Sequence, residues 1–260
     1  KGRAAKFAAQ VGGAAATDAR AAADGVDVVI TILPTSRQVA EVVTSIADVL
    51  RRGALVIDMS SGAPGVTRTL AEKLAATGVE MIDAPVSGGV ARARTGELAI
   101  MVGGEVAAVA RAEPLLRAMG TTISTVGAIG AGQAMKALNN LVSAGGFLIG
   151  IEALMIGQRF GLDADRMVDV LNSSTGMNNS TQKKFRQFVL SRRFDSGFGI
   201  DLMAKDLGIA LGIAHETATP SPFSALCREL WAGAATLLEP GSDHTAMAQL
   251  IERFAGEPLG

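Results

Sequence analysis

The chain has 260 residues, with 24 Lys and Arg against 25 Asp and Glu, so its formal net charge is −1. This balance gives no electrostatic reason to expect binding to nucleic acid or to a membrane surface. The hydrophobic fraction of 48% is enough to bury a sizeable core, in one large domain or two ordinary ones.

Cysteine and histidine usage argues against a metal centre or a disulfide. Cys227 is the single cysteine, which excludes an internal disulfide and a cysteine-cluster metal site. His215 and His244 are far apart and lack metal-ligand spacing. The longest apolar stretch, 141–151, is too short to span a bilayer, and the chain shows no secretory signal pattern. We therefore expect a cytoplasmic enzyme without a resident metal.

The first half of the chain alternates short apolar runs with helical patterns. After a first helix at 3–10, the predicted strands are 26–33, 54–58, 79–82, 98–102 and 122–126. The predicted helices between them are 36–50, 64–76 and 105–119. Strands that alternate with helices indicate crossover units and a mainly parallel, doubly wound sheet.

The second half changes to helical patterns only. A long helix is predicted over 130–160, followed by helices at 165–172, 181–190, 201–215, 224–238 and 245–254. We place the boundary near 127–132, which gives an α/β domain over 1–128 and an all-helical domain over 129–260.

The predicted strand ends are small and polar, and ligands of open parallel sheets bind at the carboxyl ends of the strands. These ends are residues 33–35, 58–62 and 83–89. The last of them contains Ser87, Gly88 and Gly89 before a short helical run, whose backbone N–H groups could bind an anion. Ordinary strand-to-helix turns favour the same residue types, so both interpretations stay open.

The start of the long helix carries a lysine among apolar residues. The glycines at 127–132 do not have the spacing of a dinucleotide loop, and they open this helix instead of a βαβ unit. Lys136 and Asn140 are four residues apart, so they share one helix face. A partly desolvated Lys136 would have a lowered pKa suited to proton transfer. A lysine that extends its ammonium into water fits the same pattern. Lys205 and Asp206 have the pattern of a solvated charge pair.

Three motifs resemble the β-hydroxyacid dehydrogenase family, which includes 3-hydroxyisobutyrate dehydrogenase and tartronate semialdehyde reductase. Residues 83–90 (Asp-Ala-Pro-Val-Ser-Gly-Gly-Val), with 96–98 and 101–104, resemble its substrate-binding signature. Residues 130–140 resemble its catalytic-lysine motif, and 202–207 its C-terminal motif. The resemblance covers the whole chain. It implies a Rossmann-like sheet followed by an all-α domain joined by a long helix, and hydride transfer between NAD or NADP and the β-carbon of a small 3-hydroxy acid.

The resemblance also implies roles for individual residues. Lys136 would be the general acid/base. The substrate would be bound by Ser87, Gly88, Gly89, Asn140 and Phe198, and the cofactor by Leu33, Pro34, Ser61 and Lys205. It further implies a homo-oligomer, a dimer or tetramer, with no nucleic-acid or membrane partner. The polar segment 172–180 favours small, hydroxyl-rich acids over branched aliphatic ones.

The chain departs from the family at its beginning. Family members open with a strand, a G-x-G-x-x-G loop and a second strand that reads the ribose, and none of these is found here. We therefore expect an N-terminally truncated chain with an incomplete Rossmann domain, weak cofactor binding and an open sheet edge along 26–33. The sequence does not decide between NAD and NADP.

Two other functions fit the same sequence. An imine reductase on the same fold usually has another proton donor in place of the lysine, so Lys136 argues against it. A non-catalytic scaffold or oligomerisation module fits the missing glycine loop. Lys136, Asn140 and the Ser87–Gly89 segment argue against that interpretation.

Overall fold

The computed structural model describes residues 2–260. Contacts divide the chain into two compact units between Lys136 and Ala137. This division falls inside the predicted long helix, a few residues after the predicted boundary.

The first unit is a six-stranded sheet with helices between the strands. Its strands are β1 (Val28–Thr31), β2 (Leu55–Asp58), β3 (Glu80–Asp83), β4 (Val86–Ser87), β5 (Leu98–Gly103) and β6 (Gly120–Gly127). Its helices are α1 (Gly2–Val11), α2 (Ala19–Ala23), α3 (Ser36–Ile46), α4 (Pro64–Ala75), α5 (Gly89–Thr95) and α6 (Val106–Met119). Each predicted strand and helix is present. The two-residue β4 and the five-residue α2 were not predicted, because elements this short have no detectable periodicity.

The predicted, mainly parallel sheet is confirmed. Strands β1, β2 and β3 pair in parallel, and β5 pairs in parallel with β6. The exception is β5, which runs antiparallel to β3 and β4. Only the short α5 and its flanking turns connect β4 to β5, whereas a parallel return needs a crossover of about a dozen residues or more.

Helices cover both faces of this sheet, as the alternation of side chains along β2 shows. Leu55 and Ile57 belong to the hydrophobic cluster that includes Leu116 of α6. Val56, between them, belongs to the cluster that includes Val43 of α3. A strand that is apolar on both faces is typical of a doubly wound sheet.

Strand β1 is an edge of the sheet within residues 2–260. Ile30 on this strand is 44% exposed, and Ile32 just after it is 65% exposed. An exposed, apolar edge strand agrees with the predicted open edge, and such an edge can pair with another strand.

The second unit is helical. After α7 (Ala131–Phe160), which contains the division, it consists of α8 (Ala164–Asn172), α9 (Asn179–Lys183), a π-helical segment (Phe185–Leu190), α10 (Ile200–Glu216), α11 (Pro222–Leu237), a 3-10 turn (His244–Ala246) and α12 (Met247–Ala255). The helix predicted over 181–190 is therefore two segments, and the helix predicted over 245–254 begins with a 3-10 turn. The all-helical C-terminal part is confirmed.

Aromatic side chains form the centre of the second unit's core. Phe147 of α7 contacts Phe185 and Trp231, with ring centroids 5.4 and 5.8 Å apart. The stretch 141–151, too short for a bilayer by itself, lies within α7, and this 30-residue helix is long and apolar enough to span one by length and composition. Because 56% of the most apolar stretch of α7 is buried inside the protein, α7 has the character of a core helix.

Candidate active site

Two buried aspartates end neighbouring parallel strands. Asp58 of β2 and Asp83 of β3 are register partners, and they are 1% and 0% exposed. Burial raises the pKa of the Asp58 carboxyl above its ordinary value. Burial also raises the pKa of Asp83, to about 6, although backbone N–H donors oppose this shift; the Asp58 charge adds to it.

The Asp83 carboxylate binds the first turn of α7. Its Oδ1 accepts from the backbone N–H of Gly130, and its Oδ2 from that of Gln133, both over 2.7 Å. These N–H groups have no partner within the helix, and a carboxylate at a helix N-terminus is also favoured by the helix dipole. Asp83 therefore acts as an N-terminal cap supplied by the sheet.

Gln133 connects this turn of α7 to Asp58. Its Nε2 donates to Asp58 Oδ2 over 2.9 Å, and its Oε1 accepts from Thr67 Oγ1 over 2.6 Å. The other Asp58 oxygen accepts from the Thr31 hydroxyl and the Ser60 backbone N–H. The start of α7 is thus held by side chains from β2, β3 and α4.

Lys136 lies one helical turn after Gln133 and is only 7% exposed. This burial disagrees with a lysine that extends its ammonium into water, and it agrees with the expected desolvation. Asn140, one turn further along α7, is also buried.

The predicted cofactor residues of the first unit lie at the ends of β1 and β2. The Leu33 backbone N–H donates to Ser60 Oγ over 2.8 Å, so a chain of hydrogen bonds runs from Leu33 through Ser60 and Asp58 to Gln133. Leu33 and Ser61 are half-buried, and Pro34 is exposed. The structure thus brings Leu33 into the same network as the start of α7.

The predicted substrate loop follows β3. Ser87 lies on β4 opposite Ala99. Gly88 and Gly89 have φ angles of +129° and +65°, which only glycine adopts at low cost. A Cβ at Gly88 would come within 2.7 Å of the Arg92 side chain, whereas one at Gly89 would meet open space. The backbone therefore requires glycine at 88 and leaves room for a ligand at 89.

In the second unit, Asn140 and Lys205 share one buried carboxylate. Asn140 Nδ2 donates to Asp206 Oδ2 over 2.6 Å, and Lys205 Nζ lies 3.2 Å from Asp206 Oδ1. Asp206 is 1% exposed, so this is not the solvated charge pair that the sequence pattern indicated. Asp206 fixes the orientation of the Asn140 amide, because it accepts from the NH₂ end of that group.

Phe198, the remaining predicted residue, packs in the second unit's core. Its ring contacts His244 edge to face, with centroids 5.7 Å apart. The Asp243 carboxylate accepts from the backbone N–H groups of Gly197 and Phe198, which fixes this loop. Burial lowers the pKa of His244, so this imidazole is neutral at pH 7 and serves as a core residue.

Sequence reasoning assigned no role to Asp58, Asp83 or Gln133. A signal was available, since two successive strands each end in aspartate and Gln133 stands between the glycines and the lysine. Within residues 2–260, no group of three or more His, Cys, Asp or Glu side chains could hold a metal ion.

Two family profiles match nearly all of the chain. Residues 1–128 match the NAD binding domain of 6-phosphogluconate dehydrogenase. Residues 130–251 match the NAD-binding domain of NADP-dependent 3-hydroxyisobutyrate dehydrogenase. Both profiles confirm the expected nicotinamide cofactor, NAD or NADP.

Individual proteins agree with these profiles. The 2-(hydroxymethyl)glutarate dehydrogenase of Eubacterium barkeri is 34% identical, over 88% of this chain and 77% of its own length. The mitochondrial 3-hydroxyisobutyrate dehydrogenase of Mus musculus is 37% identical, over 80% of this chain, which covers 65% of that enzyme. The chain therefore spans about two thirds of the length of this mitochondrial relative.

Solved structures give the same result. The Mycobacterium tuberculosis 3-hydroxyisobutyrate dehydrogenase with L-serine has a TM-score of 0.89 and 33% identity, over 96% of this chain and 88% of that one. An imine reductase from Myxococcus stipitatus has a TM-score of 0.62 and 15% identity, over 95% and 88% of the two chains, a likeness that shows the fold alone. The chain belongs to the β-hydroxyacid dehydrogenase family, whose members are NAD(P)-dependent oxidoreductases of the 3-hydroxyisobutyrate dehydrogenase type.

Proposed function

We propose that this protein interconverts a small 3-hydroxy acid and the corresponding 3-oxo acid, with NAD or NADP as hydride acceptor or donor. The observation that carries this proposal is the buried Lys136, on a helix whose first turn is bound by Asp83 and, through the Gln133 side chain, by Asp58. A desolvated amine on a fixed helix suits proton transfer to and from a hydroxyl group.

Lys136 is the general acid/base of the proposed reaction. In oxidation its neutral amine accepts the hydroxyl proton of the substrate. In reduction its ammonium donates that proton and stabilises the charge that develops on the oxygen. The nicotinamide ring, when bound, supplies or accepts the hydride, and the protein supplies alignment and charge.

The substrate carboxylate is assigned to the Ser87–Gly89 segment. The Ser87 hydroxyl and the backbone N–H groups of Gly88 and Gly89 can donate to its oxygens, and the open space beside Gly89 leaves room for it. Asn140 orients the reacting hydroxyl, since Asp206 fixes its amide. Phe198, half-buried beside His244, is assigned to the substrate region as the family resemblance implies.

The residues present fit part of a nicotinamide cofactor. Leu33 and Ser61 are half-buried at adjacent strand ends, where open α/β sheets bind dinucleotides. We assign Leu33, Pro34, Ser61 and Lys205 to cofactor binding. Both NAD and NADP belong in the test, because no assigned residue distinguishes the two.

The relatives support this substrate class. Hydroxymethylglutarate, 3-hydroxyisobutyrate and L-serine, which their names mention, each carry a hydroxyl group on the carbon β to a carboxylate. The polar segment 172–180 does not refine this choice. Asn178 caps α9, and the side chain of Asn172 donates to the Thr181 carbonyl, so their polarity has a structural explanation.

We also propose a homo-oligomer in the cytoplasm, a dimer or tetramer. Val142, Ile149 and Ile156 of α7 are 76%, 55% and 70% exposed. They are spaced seven residues apart, which is about two helical turns, so they lie on one side of the helix and form an apolar stripe. Such a stripe is typical of a surface that a second copy covers.

An assay of both directions tests the function. The purified protein is tested with 3-hydroxyisobutyrate, glycerate and L-serine, and with small 3-oxo acids, using each cofactor separately. We expect Lys136→Ala to lower kcat by about 10²- to 10⁴-fold, and Lys73→Ala, at an exposed lysine of α4, to leave it unchanged. A folded protein that turns over none of these acids would contradict the proposal. If that protein reduced cyclic imines, the imine reductase function would be favoured. If it bound no nicotinamide cofactor, the non-catalytic scaffold would be favoured.

A further inference from the structure

The geometry points to Asp83 and Gln133 as positioning residues that hold the first turn of α7 and thereby place the Lys136 amine. This inference deepens the proposed function and rests on it. Neither side chain is assigned to substrate or cofactor, and both act through the helix that carries Lys136.

The bond pattern around Asp83 requires a carboxylate. Two backbone N–H donors, from Gly130 and Gln133, point at its two oxygens over 2.7 Å each. Asparagine has the same shape but offers only one oxygen, so its NH₂ group would face an N–H donor. One of the two buried N–H groups would then lack an acceptor, which costs free energy. The first turn of α7 can avoid this cost only by moving away from residue 83.

Close packing leaves little room for Asp83 to adjust. A Cβ at Gly132 would lie 2.9 Å from Asp83 Oδ2 and 2.3 Å from the Met101 carbonyl oxygen. A Cβ at Gly103 would lie 2.5 Å from Asp83 Oδ1. Glycine at both positions lets the backbone close around the carboxylate, which fixes its place relative to α7.

Gln133 fixes the rotation of the helix start. Its amide donates to Asp58 and accepts from Thr67, and the side chain is 1% exposed. Both ends of the amide are therefore engaged, so the side chain has one favoured orientation. Residues three apart lie near one another on a helix surface, so this orientation also determines where Lys136 emerges.

The charges around Asp83 give this arrangement a pH dependence. From β2 it faces the Asp58 carboxylate, from β5 the uncharged Gly103, and from α7 backbone N–H groups. Lys136 is the titratable residue of that part of α7. With its pKa near 6, Asp83 gains a proton as the pH falls below 6 and then loses an acceptor that the helix needs. In the reductive direction, Lys136 must be protonated, so its own effect appears at high pH. The part of a low-pH loss of kcat that is centred near pH 6 is therefore assigned to Asp83. Burial also raises the pKa of Asp58, so protonation of Asp58 adds a loss that Asp83→Asn retains.

The experiment compares two variants with a matched control. Asp83→Asn removes one acceptor, and Gln133→Met removes both amide bonds with little change of shape. The control, Asp163→Asn, alters another N-cap aspartate, which accepts from the Arg166 N–H at the start of α8. For each protein we measure kcat and KM in the reductive direction between pH 5 and 9. In parallel, the Lys136 pKa is measured by NMR with ¹³C-labelled lysine, its signal assigned with Lys136→Arg.

We expect kcat to fall by roughly 100-fold in both variants, since a displacement of about 1 Å can cost that much. The Lys136 pKa should shift in both variants. The part of the low-pH loss centred near pH 6 should disappear in Asp83→Asn, and Asp163→Asn should match the parent. Should Asp83→Asn fail to fold, Gln133→Met supplies the same comparison. The inference would be overturned if both variants had the same kcat and the same Lys136 pKa as the parent protein. An inactive parent protein whose Lys136 pKa still shifts in the variants would contradict the proposed function and support the positioning role.

Discussion

Asp58 and Asp83 are register partners on adjacent parallel strands, and both carboxylates are buried. Each ionised form disfavours the other, and both are stabilised by donors that come from α7. This pair couples the sheet to the helix that carries Lys136.

Protein stability should depend on pH through Asp83. Its pKa is about 6 in the folded protein, raised from an ordinary value of 3.8, so the folded state binds this proton more tightly than the unfolded state. The contribution of Asp83 to stability is therefore fully present below pH 4 and is lost as the pH rises through 6. An asparagine at this position does not titrate. Relative to Asp83→Asn, the parent should gain about 2.4 kcal/mol of unfolding free energy between pH 7 and pH 4, measured by urea unfolding. A constant difference between the two proteins would contradict this.

Ser87→Ala should weaken substrate binding more than catalysis. A hydrogen bond to a charged group contributes about 1.5–3 kcal/mol, so we expect KM for the hydroxy acid to rise by about 10- to 100-fold with a small change in kcat. Steady-state kinetics on both cofactors measure this. Ser124→Ala, at an exposed serine of β6, is the matched control. An unchanged KM would remove Ser87 from the substrate site.

Asp206→Asn should weaken the hold on the Asn140 amide, because the acceptor of the Asn140 Nδ2 hydrogen bond loses its charge. The carboxylate accepts from Asn140 and neutralises Lys205, and an asparagine at 206 cannot do the second. We expect kcat/KM to fall by about 10-fold or more, because a buried hydrogen bond to a charge is lost. Asp201→Asn, at an exposed residue of the same helix α10, is the control. Parent kinetics in Asp206→Asn would show that the orientation of Asn140 does not depend on this carboxylate.

Ile156→Glu should disrupt the proposed oligomer. A charge in the middle of an apolar contact is desolvated without a partner. Light scattering after size-exclusion chromatography should show a smaller particle than the parent at equal concentration. Val170→Glu places the same charge on α8, at a valine that is 62% exposed, and should leave the mass unchanged. A monomeric parent protein would contradict the proposal directly.

The sequence predicted most elements because their signals are local. The β-branched run before Pro34 and the apolar periodicity of α7 depend only on residues within each element. The split of helix 181–190 was not predictable in this way. There, the C-terminal half becomes π-helical where Phe185 packs under α7, in contact with Phe147, a constraint imposed by a distant residue.

By itself the sequence determined the fold class, because that follows from periodicity. The family and Lys136 as the candidate acid/base came from the resemblance of contiguous motifs. Only the tertiary structure decided that Lys136 is buried and that Lys205 pairs with a buried Asp206. It alone showed that Asp58, Asp83 and Gln133 form one network. Burial and hydrogen bonding between residues 50 and 75 positions apart, as for Asp83 and Asp58 with Gln133, depend on how the chain folds back on itself, which no local pattern contains.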